Sequence, residues 1–183
     1  MTTLYYEEQL QKIFANINDW LKFAEAKNFG LITLDAAIVF GLSQSNLCAN
    51  SIEYYSAFYI LSPIVFLSFI FALLSFIPVL KKFTKSNSNK GLIAWILSFV
   101  EKDPTVKNIH YFGYLINLNK DDFIKELKLK TNSKDDFTEY ETELVSQILY
   151  NSRIALLKFR LFKLAGILLL LGVIVSPIVF IIL

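Results

Sequence analysis

The sequence predicts an all-α integral membrane protein with three transmembrane helices and a cytoplasmic helical region that is continuous with the last span. Three observations lead to this fold class. Of the 183 residues, 55% are apolar and only 19% are charged, whereas soluble domains have about 25% charged residues. Residues 28–80 and 164–183 contain no Lys or Arg. The longest apolar runs lie within these two stretches.

The apolar runs predict spans at about 29–47, 56–80 and 161–183. Residues 56–80 contain no charge and exceed the ~20 residues that a helix needs to cross a bilayer. The first run is diluted by Asp35 and two amides, so a buried or interfacial helix is the alternative interpretation there. A polar turn at 43–55 joins the first two spans, and residues 29–80 are therefore predicted to form a transmembrane hairpin.

The positions of the basic residues predict the orientation. With three spans, residues 1–28 and 81–160 lie on the same side of the membrane, and they contain all the Lys and Arg residues except Lys163, which lies at the membrane edge. Because Lys and Arg are concentrated in cytoplasmic loops, we place the N-terminus and the region 81–160 in the cytoplasm.

Residues 1–28 are predicted to form a cytoplasmic amphipathic N-terminal helix. Apolar residues recur there at the i, i+3, i+4, i+7 spacing of one helix face: Leu10, Ile13, Phe14, Ile17, Trp20, Leu21 and Ala24. Such a face packs against a neighbouring helix. The alternative is a helix on the membrane surface, with Trp20 and Phe23 as interfacial anchors.

Residues 81–160 are predicted to form a helical sensor and stalk region. Gly91–Val100 is apolar but too short to span, which predicts a core helix or a re-entrant segment. Ile109–Leu118 is rich in aromatic and β-branched residues, which predicts a short extended segment or an irregular turn.

Two capping signals lie within this region. Asn119 followed by Asp122 predicts the start of a helix over 120–130, and Ser133 followed by Asp136 predicts a second start. No Gly or Pro occurs from Lys134 until Gly166. We therefore predict one continuous helix from about Lys134 through the third span.

Asp35 is the first candidate functional residue. A carboxylate near the middle of a span costs about 2.5–3.5 kcal/mol on insertion scales and usually faces a bundle interior or water. The functional interpretation is an intramembrane polar group that faces a pore or another subunit. The alternative is that the first span is marginal and that Asp35 lies near an interface or pairs locally.

An aromatic segment with neighbouring cations is the second candidate. His110, Tyr111 and Phe112 offer ring faces to a nucleobase, and Lys107 or Arg153 offers a cation to its phosphate. Arginine is suited to this because it binds phosphate in bidentate fashion. The alternative interpretation of the single histidine is a hydrogen-bonded structural residue.

Three basic residues are predicted at the membrane edge: Lys158, Arg160 and Lys163. Cations in this position usually bind anionic lipid head groups, worth about 1 kcal/mol per charge.

Catalytic and metal-binding patterns are absent from the sequence. One His and one Cys are too few for a zinc site or a disulfide framework. There is no Gly-rich phosphate loop and no His-Glu-x-x-His. The acidic pairs Asp121-Asp122 and Asp135-Asp136 fall at predicted helix starts, where acids offset the helix dipole. We expect no enzyme activity, no metal and no cofactor, and the net charge of +2 gives no reason to expect a nucleic acid partner.

Three stretches together resemble the transmembrane effector family of the Pycsar anti-phage systems and, more loosely, the SLATT-type membrane effectors. They are Trp20–Lys27 running into Asp35–Leu42, His110–Gly113 followed by an acidic-capped helix, and Glu143–Ile148 with Ser152–Ala155 and Lys158–Leu161 leading into the last span. The resemblance covers most of the chain. The family usually has a small or amide residue where this chain has Asp35, so the resemblance assigns no pore role to that residue.

The resemblance implies a bacterial inner-membrane protein whose partner cyclase makes a cyclic nucleotide during infection. The effector would respond by impairing the membrane, so that the infected cell stops growing or dies. We accordingly expect a multi-pass homo-oligomer in a lipid bilayer, regulated by a cyclic nucleotide such as a cyclic pyrimidine mononucleotide. The alternative is a non-catalytic membrane tether or assembly subunit without pore activity of its own.

Overall fold

The computed structural model describes residues 3–45, 52–77, 107–132 and 135–182, and among them only helices and turns occur. The described helices are α1 (Thr3–Ser45), α2 (Ile52–Leu74), α3 (Phe112–Leu115), α4 (Lys120–Thr131) and α5 (Glu139–Ile182). The predicted all-α class is therefore confirmed for these residues. The predictions for Gly91–Val100 and for the capping residue Ser133 lie outside the described residues.

Helix α1 unites two elements that the sequence treats separately. It runs for 43 residues without a break and contains both the amphipathic N-terminal face and the first predicted span. No Pro interrupts it, and at 1.5 Å per residue it is about 65 Å long. Helix α2 has 23 residues and accommodates Pro63, which apolar helices in membranes tolerate.

The segment 109–118 is helical rather than extended. The sequence favoured a short extended segment or irregular turn, but Phe112–Leu115 forms one helical turn flanked by hydrogen-bonded turns. The following cap is confirmed, because the Asn119 side chain accepts a hydrogen bond from the Asp122 backbone N–H at 2.8 Å. Helix α4 ends at Asn132 in the left-handed conformation, with φ of 50°.

The long C-terminal helix is present but begins later than its predicted start near Lys134. Thr138 caps it: its Oγ1 accepts from the Glu141 backbone N–H at 3.2 Å, and Glu141 Oε2 accepts from the Thr138 backbone N–H at 2.7 Å. This reciprocal pair satisfies two donors that a helix start leaves open. Asp136, predicted as part of a cap, instead forms an ion pair with Lys128 at 3.0 Å.

The chain forms two compact units. Unit 1 comprises Met1–Ala24 and Val79–Leu157, and unit 2 comprises Glu25–Pro78 and Lys158–Leu183. The described core of unit 1 consists of Tyr6, Leu10, Ile13, Ile17, Ala24, Ile109, Phe112, Leu115, Phe123, Leu127, Leu144, Val145, Ile148, Leu149 and Ala155. The core of unit 2 consists of Leu31, Leu61, Val65, Ala72, Ala165 and Leu169.

Polar contacts also join α1 and α5 within unit 1. The Asn151 side-chain amide donates to the Asn18 side-chain carbonyl at 2.9 Å. Asn18 follows the core residue Ile17 and Asn151 precedes the buried Ser152, so this amide pair lies beside the apolar seam of the two helices.

Two helices of the described chain are long and apolar enough to cross a membrane, over Tyr6–Gln44 and Glu139–Ile178. The apolar part of α2, Phe58–Leu74, is shorter. Two of the three predicted spans therefore meet this criterion.

We predict that Gly172→Leu destabilises unit 2. A Cβ at Gly172 would lie 3.0 Å from Leu61 Cδ1 and 3.1 Å from Ile64 Cγ2, so a larger side chain forces α2 and α5 apart. Overpacking costs about 1–3 kcal/mol, or roughly 2–4 °C of melting temperature per kcal/mol at this chain length. Thermal unfolding of the detergent-solubilised protein measures it.

Gly166→Leu is the matched control, because it adds the same side chain to the same helix where no atom lies within 4 Å of the added Cβ. Equal melting temperatures for the two variants would contradict the close approach of α2 to Gly172.

Candidate functional site

Unit 2 has an apolar exterior. Among the described residues, every exposed large apolar side chain except Phe23, Leu129 and Tyr140 lies in this unit. Phe40 and Phe66, for example, are 64% and 60% exposed. Soluble monomers rarely expose so many large apolar side chains, and surfaces of this kind mark contact with a membrane or partner.

The interior of unit 2 contains a buried carboxyl group. Asp35 is fully buried, and its Oδ2 and Oδ1 lie 3.0 and 3.2 Å from Ser68 Oγ. The same hydroxyl lies 3.0 Å from the backbone oxygen of Ala165. Asp35 is on α1, Ser68 on α2 and Ala165 on α5, so one serine hydroxyl connects all three helices of the unit.

The surroundings of this connection are apolar. Leu31 lies one turn before Asp35 in the core cluster, Val65 and Ala72 flank Ser68, and Leu169 follows Ala165. Helical spacing explains the convergence, since positions three or four residues apart share one helix face. The structure thus places the predicted intramembrane polar group inside unit 2 and away from its exterior.

A second polar cluster of unit 2 surrounds Lys158. Its ammonium is 2.8 Å from Glu25 Oε1, its side chain is only 12% exposed, and it lies 5.6 Å from the Phe76 ring centroid. The Asn28 side chain donates to the Lys158 backbone oxygen at 3.3 Å. A buried ammonium needs such partners because an unpaired one is costly.

The three predicted membrane-edge cations therefore differ in environment. Lys158 pairs with Glu25 and its side chain is 12% exposed, Arg160 is half-buried, and Lys163 is exposed. A lipid-binding role remains a prediction, and the side chain of Lys163 is the most accessible of the three.

An aromatic cluster occupies unit 1 at the predicted ligand segment. The Trp20 ring lies 6.5 Å from Tyr111 and 5.6 Å from Phe112, measured between centroids. Phe112 is 6% exposed, so its ring is part of the core. Asn16 donates to the backbone oxygen of His110 and thereby fixes the segment to α1, while the histidine itself is exposed.

The remaining predicted ligand residues are Lys107 and Arg153. Lys107 is exposed and Arg153 is half-buried, and among the described residues Arg153 has no hydrogen-bond or ion-pair partner. The proposed nucleotide site therefore stays a prediction. In the described structure Phe112 packs in the core, Tyr111 and Arg153 are half-buried, and His110 and Lys107 are exposed.

Sequence reasoning missed Ser68 and the Tyr114–Glu126 pair. Four serines occur within 56–77, at positions 56, 62, 68 and 75, and nothing in the sequence distinguishes the one whose partners lie on other helices. The Tyr114 hydroxyl donates to Glu126 Oε2 at 2.7 Å, and this hydrogen bond raises the pKa of Tyr114.

A groove of about 390 Å³ lies in unit 2 and is lined by Ala36, Val39, Phe40, Ser43, Phe66 and Phe69. Its lining carries no charge, so it offers no partner for a phosphate. Within the described residues there is also no group of three or more His, Cys, Asp or Glu that could hold a metal ion.

These features define a class: a helical membrane protein with an apolar exterior, a buried carboxyl between its helices and a separate polar unit rich in capped helices. The sequence model described as "Pycsar effector protein domain" matches residues 9–183. The chain belongs to this family, and it is therefore a Pycsar anti-phage membrane effector. Searches of curated proteins and of solved structures found no match.

We predict that Gly113→Ala displaces the Tyr111 ring. A Cβ at this position would lie 2.5 Å from Tyr111 Cε1 and 2.9 Å from Cζ, so the ring must leave its contact with Trp20. Trp20 emission, measured in a Trp95→Phe background, should change. Gly30→Ala, which meets no atom within 4 Å, should leave the emission unaltered. Identical spectra for all three proteins would contradict the tight contact between Tyr111 and Gly113.

Proposed function

We propose that this effector disrupts the integrity of the bacterial inner membrane when a cyclic nucleotide, made by a partner cyclase, binds its cytoplasmic part. The nucleotide is expected to be a cyclic pyrimidine mononucleotide. The observation that supports membrane action is the apolar exterior of unit 2 around a buried polar connection.

We propose three spans with the N-terminus in the cytoplasm. Helix α2 has 23 residues and is about 35 Å long, which exceeds the ~30 Å of a bilayer's hydrocarbon core. Helices α1, α2 and α5 then form the membrane-spanning part of the protein together. Eight of the twelve described basic residues lie in unit 1, and the four in unit 2 lie within six residues of a boundary with unit 1 along the chain. By the positive-inside bias, this distribution supports a cytoplasmic unit 1.

Two helices provide the route from trigger to membrane. Helices α1 and α5 each contribute residues to both units, so a rearrangement in unit 1 is transmitted through an unbroken hydrogen-bonded backbone. A ligand shifts such an equilibrium only by its difference in affinity between the two states. We expect this difference in affinity to arise at three accessible groups of unit 1: His110, Lys107 and Arg153.

A leak needs more than one copy of a three-helix bundle, because three helices enclose no aqueous channel of their own once their core is filled. We therefore propose a homo-oligomer whose subunits meet through the apolar exterior of unit 2. The alternative function is a tether that holds partners at the membrane without a leak.

We predict that cells expressing the full chain depolarise when a cyclic pyrimidine mononucleotide is supplied. A potential-sensitive dye records the change, and cyclic purine nucleotides serve as the ligand control. The protein alone, without nucleotide, should leave the potential intact. If no nucleotide of the panel causes depolarisation although the protein is present in the membrane fraction, the tether is the correct function.

We predict that Leu157→Pro uncouples the trigger from the leak. Leu157 is the last residue of unit 1 on α5, and proline there removes a helical hydrogen bond and costs about 3 kcal/mol. Nucleotide binding, measured by calorimetry, and membrane insertion should persist while depolarisation is lost.

Leu157→Ala is the matched control for this experiment, because it removes the same half-buried side chain and keeps the helix. It should retain most of the triggered depolarisation. A proline variant that depolarises cells as strongly as the alanine variant would contradict transmission through α5.

A further inference from the structure

We propose that Asp35 is a proton-binding site, and that the neutral carboxyl group locks the three helices of unit 2 together. In the packed bundle the carboxyl group donates a hydrogen bond to Ser68 Oγ, and Ser68 Oγ donates to the backbone oxygen of Ala165. This inference rests on the proposed function only for its consequence, the leak.

A count of protons supports the assignment. Ser68 Oγ is 3.0 Å from Asp35 Oδ2 and 3.0 Å from Ala165 O, and both are hydrogen-bond distances for oxygen atoms. A serine hydroxyl has one proton, while an ionised carboxylate and a carbonyl are acceptors only. With Asp35 ionised, one of the two short contacts has no proton between its oxygens. With Asp35 protonated, each contact has a donor.

The neighbouring groups offer no compensation for a negative charge. Asp35 and Ser68 are both fully buried within the apolar cluster of unit 2. On α2, residues 60–77 include no titratable side chain, and α5 has none after Lys163, whose side chain is exposed. The nearest titratable group before Asp35 on α1 is Lys27, and its ammonium lies over the rings of Phe159 and Phe162. An isolated buried carboxylate is expensive, and binding a proton removes that cost.

A second buried carboxyl group shows the opposite arrangement. Glu141 in unit 1 is 2% exposed, and its Oε2 accepts from the Thr138 backbone N–H at 2.7 Å and from Thr138 Oγ1 at 2.9 Å. Both donors point to Oε2, whereas the buried Oε1 has no hydrogen-bond partner among the described residues. Glu141 is therefore a control for burial. Both carboxyl groups are buried, but the partners of Glu141 donate hydrogen bonds to it, whereas the hydroxyl proton of Ser68 is also needed by the Ala165 carbonyl.

Protonation of Asp35 is coupled to the packing of the three helices. Packing of α1, α2 and α5 requires the neutral carboxyl group, and an ionised Asp35 must be hydrated. Loss of the proton therefore admits water between the helices and favours the open state, so the packed state is favoured at lower pH and weakened as pH rises. Proton and nucleotide act on one equilibrium, because each shifts it by its differential affinity.

Infrared spectroscopy of the full-length protein in a detergent without ester groups tests the protonation directly, because phospholipid ester carbonyls absorb where a protonated carboxylic acid does. At neutral pH we expect one carbonyl stretching band of a protonated carboxylic acid, in a region free of carboxylate absorption. The band should disappear in Asp35→Asn and persist in Glu141→Gln. A wild-type protein without the band, or a band that survives Asp35→Asn, would overturn the assignment.

A leak assay in proteoliposomes tests the lock. Ser68→Ala should raise the nucleotide-independent dye efflux several-fold, while Ser62→Ala on the same helix should not. Wild-type efflux should rise from mildly acidic to mildly alkaline pH, and Asp35→Asn should abolish that dependence. Equal efflux from the two serine variants, or a flat wild-type profile, would overturn the lock. If no protein leaks with nucleotide, the proposed function fails while the infrared result still decides the proton site.

Discussion

Hydrophobic burial cannot by itself choose the arrangement of helices in unit 2, because that unit is apolar on its exterior as well as in its core. Lipid tails are as apolar as leucine side chains, so packing and directional contacts must specify which faces meet. The described contacts supply both. Ser68 lies between Asp35 and the Ala165 carbonyl, and Gly172 lets α2 approach α5 closely. The arrangement of the bundle depends on these few positions.

Unit 1, which also contains parts of α1 and α5, is stabilised by hydrophobic burial and by helix capping. Its exterior is polar, its core aromatic and aliphatic side chains are removed from water, and its helix ends are satisfied by Asn119 and by the Thr138–Glu141 pair. The polar exterior of unit 1 gives way to the apolar exterior of unit 2 near Ala24 on α1 and near Leu157 on α5. Within unit 2, Lys158 pairs with Glu25 and lies over the ring of Phe76.

Features that depend on one helix could be predicted from the sequence, and features that depend on several could not. The all-α class, the cap at Asn119 and the long C-terminal helix are set by local periodicity and the absence of Pro, and they are confirmed. The start at Glu139 was missed because Thr138 competes with Ser133 as a cap and only geometry decides between them. Asp35 was recognised from its cost in an apolar run, but its partner Ser68 required the packing of a second helix.

The amide pair of Asn18 and Asn151 determines how the contact between α1 and α5 responds to salt and pH. A hydrogen bond between two neutral amides is neither screened by salt nor titrated near neutrality. The contact between α1 and α5 at this level is therefore insensitive to changes of salt and pH that weaken exposed ion pairs such as Lys12 with Glu8.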